Sequence, residues 1–166
     1  MVKASSQQKA NPSPHLTPTW RCPWRQPKGH WISESYHVKG QYFRLICKKF
    51  NFFPTVDAFS QASTARCAVW WGPGSENSQD AFSQSWSGHR LWFNPPFSLL
   101  PQVIAKIRED QAHGILVAPE WKLSRWHKEA MRMSLGDWLF PKGTKLFDHP
   151  ERSKPSRVSF GRLARF

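Results

Sequence analysis

Asn94-Pro95-Pro96-Phe97 is the stretch in which residue type and order point most directly to chemistry. Two successive prolines fix the local φ angles and remove two backbone donors. The carbonyls around them are held rigidly and can accept hydrogen bonds from a group outside the chain. The flanks place the motif. Leu91, Trp92 and Phe93 form a short apolar run that suits a buried strand. Leu100, Val103, Ile104 and Ile107 then fall at i, i+3, i+4 and i+7, one face of a helix. The motif therefore sits where a strand ends and a helix begins, and in an open α/β sheet that crevice is where ligands bind. The plain alternative is a strand-ending turn, in a chain that has 14 prolines.

Asp57 is the second candidate. Phe52 to Phe59 reads as a first strand, and an acid at the carboxyl end of such a strand commonly meets a nucleotide-like cofactor. The residues that follow are Ser60-Gln61-Ala62-Ser63, not G-x-G-x-x-G, which argues against a dinucleotide. Cys22, Cys47 and Cys67 are odd in number, widely spaced and without a CxxC, and are expected as structural thiols. The seven histidines are scattered without zinc-ligand spacing, so no metal is expected.

Charge is the outlying bulk property. The 166 residues carry 24 Lys+Arg against 11 Asp+Glu, a net +13. An excess of this size points to a polyanionic partner, above all nucleic acid. An anionic membrane surface fits less well, because no long amphipathic basic helix is visible. No run approaches the roughly 18 apolar residues needed to span a bilayer. The basic residues gather at both ends. Residues 1–30 hold Lys3, Lys9, Arg21, Arg25 and Lys28, no acid, and many of Pro, Ser and Gln, which reads as an extended arm. Residues 151–166 read as a basic tail with Arg152, Lys154, Arg157, Arg162 and Arg165. These ten are the expected nucleic-acid contacts. The acid-free, Ser-containing first arm loosely fits a mitochondrial targeting segment, although Pro12, Pro14 and Pro18 break a helix there. Ten tryptophans are either core or flat stacking surfaces. Trp92, Trp121, Trp126 and Trp138 fall in patterned segments and are expected in the core; Trp20, Trp24 and Trp31 are expected to touch a partner.

The elements that must position these residues lie in residues 31–150. A helix is expected from about Val38 to Phe50, with Tyr42, Leu45, Ile46 and Lys49 along one face and Arg44 and Lys48 on another. Gly72-Pro73-Gly74-Ser75 marks a loop. The helix from Leu100 to about Gln111 is expected to end at Gly114. Ile115 to Ala118 reads as a strand. Ser124 can cap a helix with Trp126, Ala130 and Met133 on one face, closed by Gly136. Asp137 to Phe140 and Lys145 to Phe147 read as late strands. This order predicts an α/β sandwich with a largely parallel sheet, a Rossmann-like domain flanked by extended basic arms.

Several blocks, in order, carry a resemblance. Trp31-Ile32, Pro54-Thr55-Val56-Asp57-Ala58-Phe59-Ser60, Asp80-Ala81-Phe82, Trp86-Ser87-Gly88, Asn94-Pro95-Pro96-Phe97-Ser98-Leu99 and Val117-Ala118-Pro119-Glu120-Trp121 resemble the Dam-like adenine-N6 methyltransferase domain of phages. They resemble still more closely the version carried by DIRS-type tyrosine-recombinase retroelements. The resemblance covers about Trp31 to Met133. It implies a methyltransferase fold with S-adenosylmethionine as cofactor. It implies that the Asn94 side chain and the Pro95 carbonyl, in the turn set by Pro96, accept hydrogen bonds from a target amino group. Phe97 would stack on a flipped base, and Asp57, Phe59 and Asp80 would lie toward the cofactor.

Two functions are expected from these observations. The first is a noncatalytic RNA-binding structural component of a large ribonucleoprotein, an organellar (mitochondrial) ribosome in particular, built on a reused methyltransferase-like domain. Its partners would be RNA and neighbouring proteins, and it would need no cofactor. The second is a working adenine-N6 methyltransferase on DNA or RNA, which would use S-adenosylmethionine.

Overall fold

The computed structural model describes residues 36–72, 80–141 and 143–148, and the backbone of 160–165. The order of elements is β1 (His37–Val38), α1 (Gly40–Phe50), β2 (Val56–Asp57), β3 (Val69–Trp70), a 3-10 turn (Ala81–Ser83), β4 (Arg90–Phe93), a second 3-10 turn (Phe97–Leu99), α2 (Leu100–Glu109), β5 (His113–Pro119), α3 (Arg125–Met133), β6 (Gly136–Leu139), β7 (Phe147–Asp148) and β8 (Phe160–Arg165). The main sheet has six strands in the order β3-β2-β4-β5-β8-β6. β3, β2, β4 and β5 are parallel; β8 runs antiparallel to both β5 and β6. The expected mixed α/β class with a parallel sheet flanked by helices is what the fold shows. β1 and β7 form a separate antiparallel pair.

Alternation along the central strands explains the layers. Leu91 and Phe93 of β4 and Leu116 and Ala118 of β5 face a core built with Leu100, Val103, Ile104 and Ile107 of α2 and with Trp126 and Ala130 of α3. Trp92, Ile115 and Val117 face the other way, onto Ile46 of α1, Val38, Phe52, Phe140 and Leu146. Both faces of β4 and β5 are covered, so their sequences read as continuous apolar runs, as parallel strands between two helical layers do. Trp86 is fully buried and anchors the first core, its indole N–H donating to the Ala81 carbonyl at 2.7 Å. Its backbone N–H donates to Asp110 at 2.7 Å, and Lys106 pairs with the same carboxylate at 2.9 Å, tying this loop to the end of α2.

Several expectations are corrected. The first strand of the main sheet is much shorter than Phe52 to Phe59. Pro54 has no N–H to donate to a ladder, and the chain turns at Ala58–Phe59, so only Val56–Asp57 pairs. In α1 Tyr42 and Ile46 pack on the core as expected, together with Phe43, Cys47 and Phe50, but Leu45 is 47% exposed and Lys49 is exposed, so the stripe is shifted toward Phe43 and Cys47. Gly114 does not end α2. It lies inside β5, where a Cβ would come within 2.5 Å of the Phe93 ring and 2.6 Å of the Leu91 carbonyl. The left-handed residue beyond α2 is Gln111, at φ 51°. Gly136 opens β6 instead of closing α3. Ser124 has the extended backbone of a cap, but its hydroxyl donates to the Trp121 carbonyl at 2.7 Å and caps nothing. Trp121 is 48% exposed, so it is not a core residue, whereas Trp92 and Trp126 are buried and Trp138 packs partly buried beside Phe140.

The expected tail from residue 151 is also corrected in part. Phe160–Arg165 is a strand between β5 and β6, with Arg162 opposite both Ala118 and Leu139, and Arg165 opposite both Ile115 and Gly136. The first arm, with Lys3, Lys9, Arg21, Arg25 and Lys28, lies outside the described residues, as do Arg152, Lys154 and Arg157. So do Trp20, Trp24, Trp31 and most of the Gly72–Gln79 loop.

Candidate functional site

The carboxyl ends of the parallel strands share one edge of the sheet, and the chain reverses its order there. β2 is followed by its neighbour on one side, β3, while β4 is followed by β5 on the other. Diverging connections leave a crevice at such a switch point. Asp57 ends β2 and Asn94 follows β4, so the two candidate residues stand at neighbouring strand ends beside the switch point. Register fixes their levels: Asp57 lies opposite Trp92, two residues before Asn94.

At Asn94 the strand stops because two prolines follow. Pro95 is buried, and the Pro96 carbonyl accepts the Leu99 N–H at 2.9 Å, which opens the 3-10 turn leading into α2. The Asn94 amide nitrogen donates to the Tyr36 carbonyl at 2.7 Å. Its carbonyl oxygen is buried and has no hydrogen-bond partner among the described residues. A buried acceptor in that state costs about 1–3 kcal/mol, so Asn94 Oδ1 is poised to take a donor.

Phe97 sits in an aromatic nest. The Tyr36 ring stacks on it with 5.2 Å between centroids and 7° between planes. Trp121 and Phe147 meet it edge-on, at 6.0 Å and 6.4 Å. Phe147 also meets Tyr36 edge-on at 5.8 Å. The β1–β7 pair delivers both Tyr36 and Phe147 to this place, so the small second sheet is the lid of the aromatic nest.

Asp57 is 2% exposed. Burial pushes its carboxyl from an ordinary 3.8 up to about 6, against the opposing pull of the Arg66 N–H, the Phe59 N–H, the Ser60 hydroxyl and the Arg66 charge. The Arg66 N–H donates to Oδ2 at 3.0 Å. Oδ1 and the Ser60 hydroxyl are both buried without a partner of hydrogen-bond geometry, although Ser60 is near enough to favour the charge. Arg66 itself is held by its Nε donating to the Val38 carbonyl at 2.8 Å.

The three residues expected toward a cofactor therefore diverge. Asp57 keeps one buried oxygen without a hydrogen-bond partner among the described residues. Asp80 caps the first 3-10 turn, its Oδ1 accepting the Phe82 N–H at 3.1 Å. Phe59 is 9% exposed, wedged edge-on against Phe82 and Trp86, and belongs to the core. Among the described residues no group of three or more His, Cys, Asp or Glu could hold a metal.

Sequence reasoning missed Tyr36 and Trp121 as parts of this site. Tyr36 lies 58 positions from Asn94, and nothing in local pattern joins them. Trp121 follows Pro119-Glu120 directly, so its place at the carboxyl end of a strand was a readable sign of a site residue. Fold and site together define a mixed α/β protein with two buried polar side chains and an aromatic nest at the carboxyl ends of parallel strands. Comparison with family models, curated proteins and solved structures finds no match.

Proposed function

We propose that the chain is a noncatalytic RNA-binding component of a large ribonucleoprotein, built on a Rossmann-like, methyltransferase-like scaffold. One observation carries the noncatalytic part: Tyr36 occupies a face of Phe97 while its carbonyl takes the Asn94 amide. A planar base stacks on an aromatic ring in the way that Tyr36 does here. On this reading Tyr36 stands where a flipped adenine would otherwise stack on Phe97. The net charge of +13 supports an RNA partner. Titration calorimetry with S-adenosylmethionine tests the reading. No binding heat is expected from the full chain, and uptake of one equivalent would overturn it.

A second reading has an observation of its own. Asn94 Oδ1 and Asp57 Oδ1 are both buried acceptors without partners among the described residues, at neighbouring strand ends. In an adenine-N6 methyltransferase, Asn94 Oδ1 would accept a hydrogen bond from the target amino group, and Asp57 would take donors of S-adenosylmethionine, which supplies the methyl group. Tyr36 would then have to leave Phe97 before a base could enter. Methyl transfer abolished by Asn94→Ala in a folded protein is what this reading requires.

A further inference from the structure

The exposed face of α3 carries Arg125, Lys128 and Arg132, at i, i+3 and i+7. The opposite face, with Trp126, His127 and Ala130, is buried. At a rise of 1.5 Å per residue, the three cations span about 10 Å along one line of the helix. Acids nearby do not offset them. Glu129 pairs with Arg108, and Glu120 pairs with Lys122 at 3.1 Å. No acid stands in the first turn of α3, where the helix dipole would favour one.

An exposed aromatic residue precedes the helix. Trp121 lies just before α3 and is 48% exposed. It is fixed by edge contacts with Trp126 at 6.1 Å and Phe97 at 6.0 Å. Two residues further on, Leu123 is 94% exposed. Three cations along one face of α3 and a braced, half-exposed tryptophan in the turn before it match what a single nucleic-acid strand offers: regular phosphates and a base free to stack.

We propose that this face is a track for single-stranded RNA, in which Arg125, Lys128 and Arg132 neutralise backbone phosphates and Trp121 stacks on a base. RNA is the ligand chosen because its unpaired bases are exposed for stacking, whereas a duplex hides them. The track rests on the RNA-binding reading above and adds to it a place on the folded domain, apart from the arms.

The test is fluorescence anisotropy of the full chain with a labelled mixed-sequence RNA 12-mer across a potassium chloride series. Each neutralised phosphate contributes about −0.7 to the slope of log affinity against log salt on a single strand. The variant Arg125→Gln/Lys128→Gln/Arg132→Gln is expected to make the slope shallower by about 2. Arg44→Gln/Lys48→Gln, which removes exposed cations of α1, should leave the slope near that of the wild type. Trp121→Ala should weaken binding about ten-fold and Trp121→Phe should restore most of it. The α3 substitutions are all on exposed positions, and circular dichroism checks that the variant is folded. A wild-type chain that binds RNA with a slope unaffected by the α3 variant overturns the track and leaves RNA binding to other residues. A wild-type chain that binds no RNA at low salt overturns the functional reading and the track together. Tighter binding of the matching DNA strand overturns RNA as the ligand.

Discussion

The Asn94 carboxamide nitrogen donates to the Tyr36 backbone carbonyl at 2.7 Å, across 58 positions of sequence. The bond turns the other end of the amide, Oδ1, into a buried place without a partner. It also holds Tyr36 where its ring stacks on Phe97. Asn94 thus ties the chain before β1 over Phe97. Asn94→Ala removes one hydrogen bond and one orphaned acceptor, and is expected to cost about 1 kcal/mol. Asn94→Asp sets oxygen against the Tyr36 carbonyl and is expected to cost about 1–3 kcal/mol more. Urea unfolding of both variants checks the ranking, and equal losses would contradict the bond.

Asp57 gives a pH dependence with a definite sign. Its folded carboxyl titrates at about 6, above its ordinary 3.8, because burial disfavours the charge. The folded state therefore holds the proton more tightly than the unfolded chain does. The contribution of this group to stability is fully present below 3.8, falls as pH rises toward 6, and is then level. Asp57→Asn keeps an oxygen for the Arg66 N–H and removes the charge. The stability of the variant relative to wild type should grow between pH 4 and 6 and flatten above, by chemical denaturation at each pH. A difference constant across that range would contradict the burial argument.

Gly114 is required by packing. Leu91 and Phe93 of β4 press on it, and the β4–β5 register leaves no room to shift. Gly114→Ala is expected to cost about 1–3 kcal/mol as overpacking. Gln111→Gly should raise stability, because Gln111 holds a left-handed φ of 51° at which a side chain is strained. Thermal melts of the two variants should move in opposite directions. Movement in the same direction would contradict these assignments.

The central strand and helix were legible because their apolar residues repeat with the period of the element. Leu91 to Phe93, the stripe Leu100, Val103, Ile104 and Ile107, and Ile115 to Ala118 all fall where the sequence puts them. Phase was harder than type. In α1 nearly every turn holds an aromatic or aliphatic residue, and packing on Trp92 and Phe140 takes in Phe43 and Tyr42 while leaving Leu45 exposed. Gly114 carries two physical meanings, cap or close approach, that composition cannot separate. In the site, Asn94 and Asp57 were readable from strand ends. Tyr36 and Phe147 were not, because only the pairing of β1 with β7 brings them over Phe97.

Transfer of labelled methyl from S-adenosylmethionine to RNA and DNA by the full chain tests the central claim most directly. With Tyr36 on Phe97 and tied to Asn94, no transfer above background is predicted for the wild-type protein. Incorporation into adenine that vanishes in a folded Asn94→Ala variant would contradict the account.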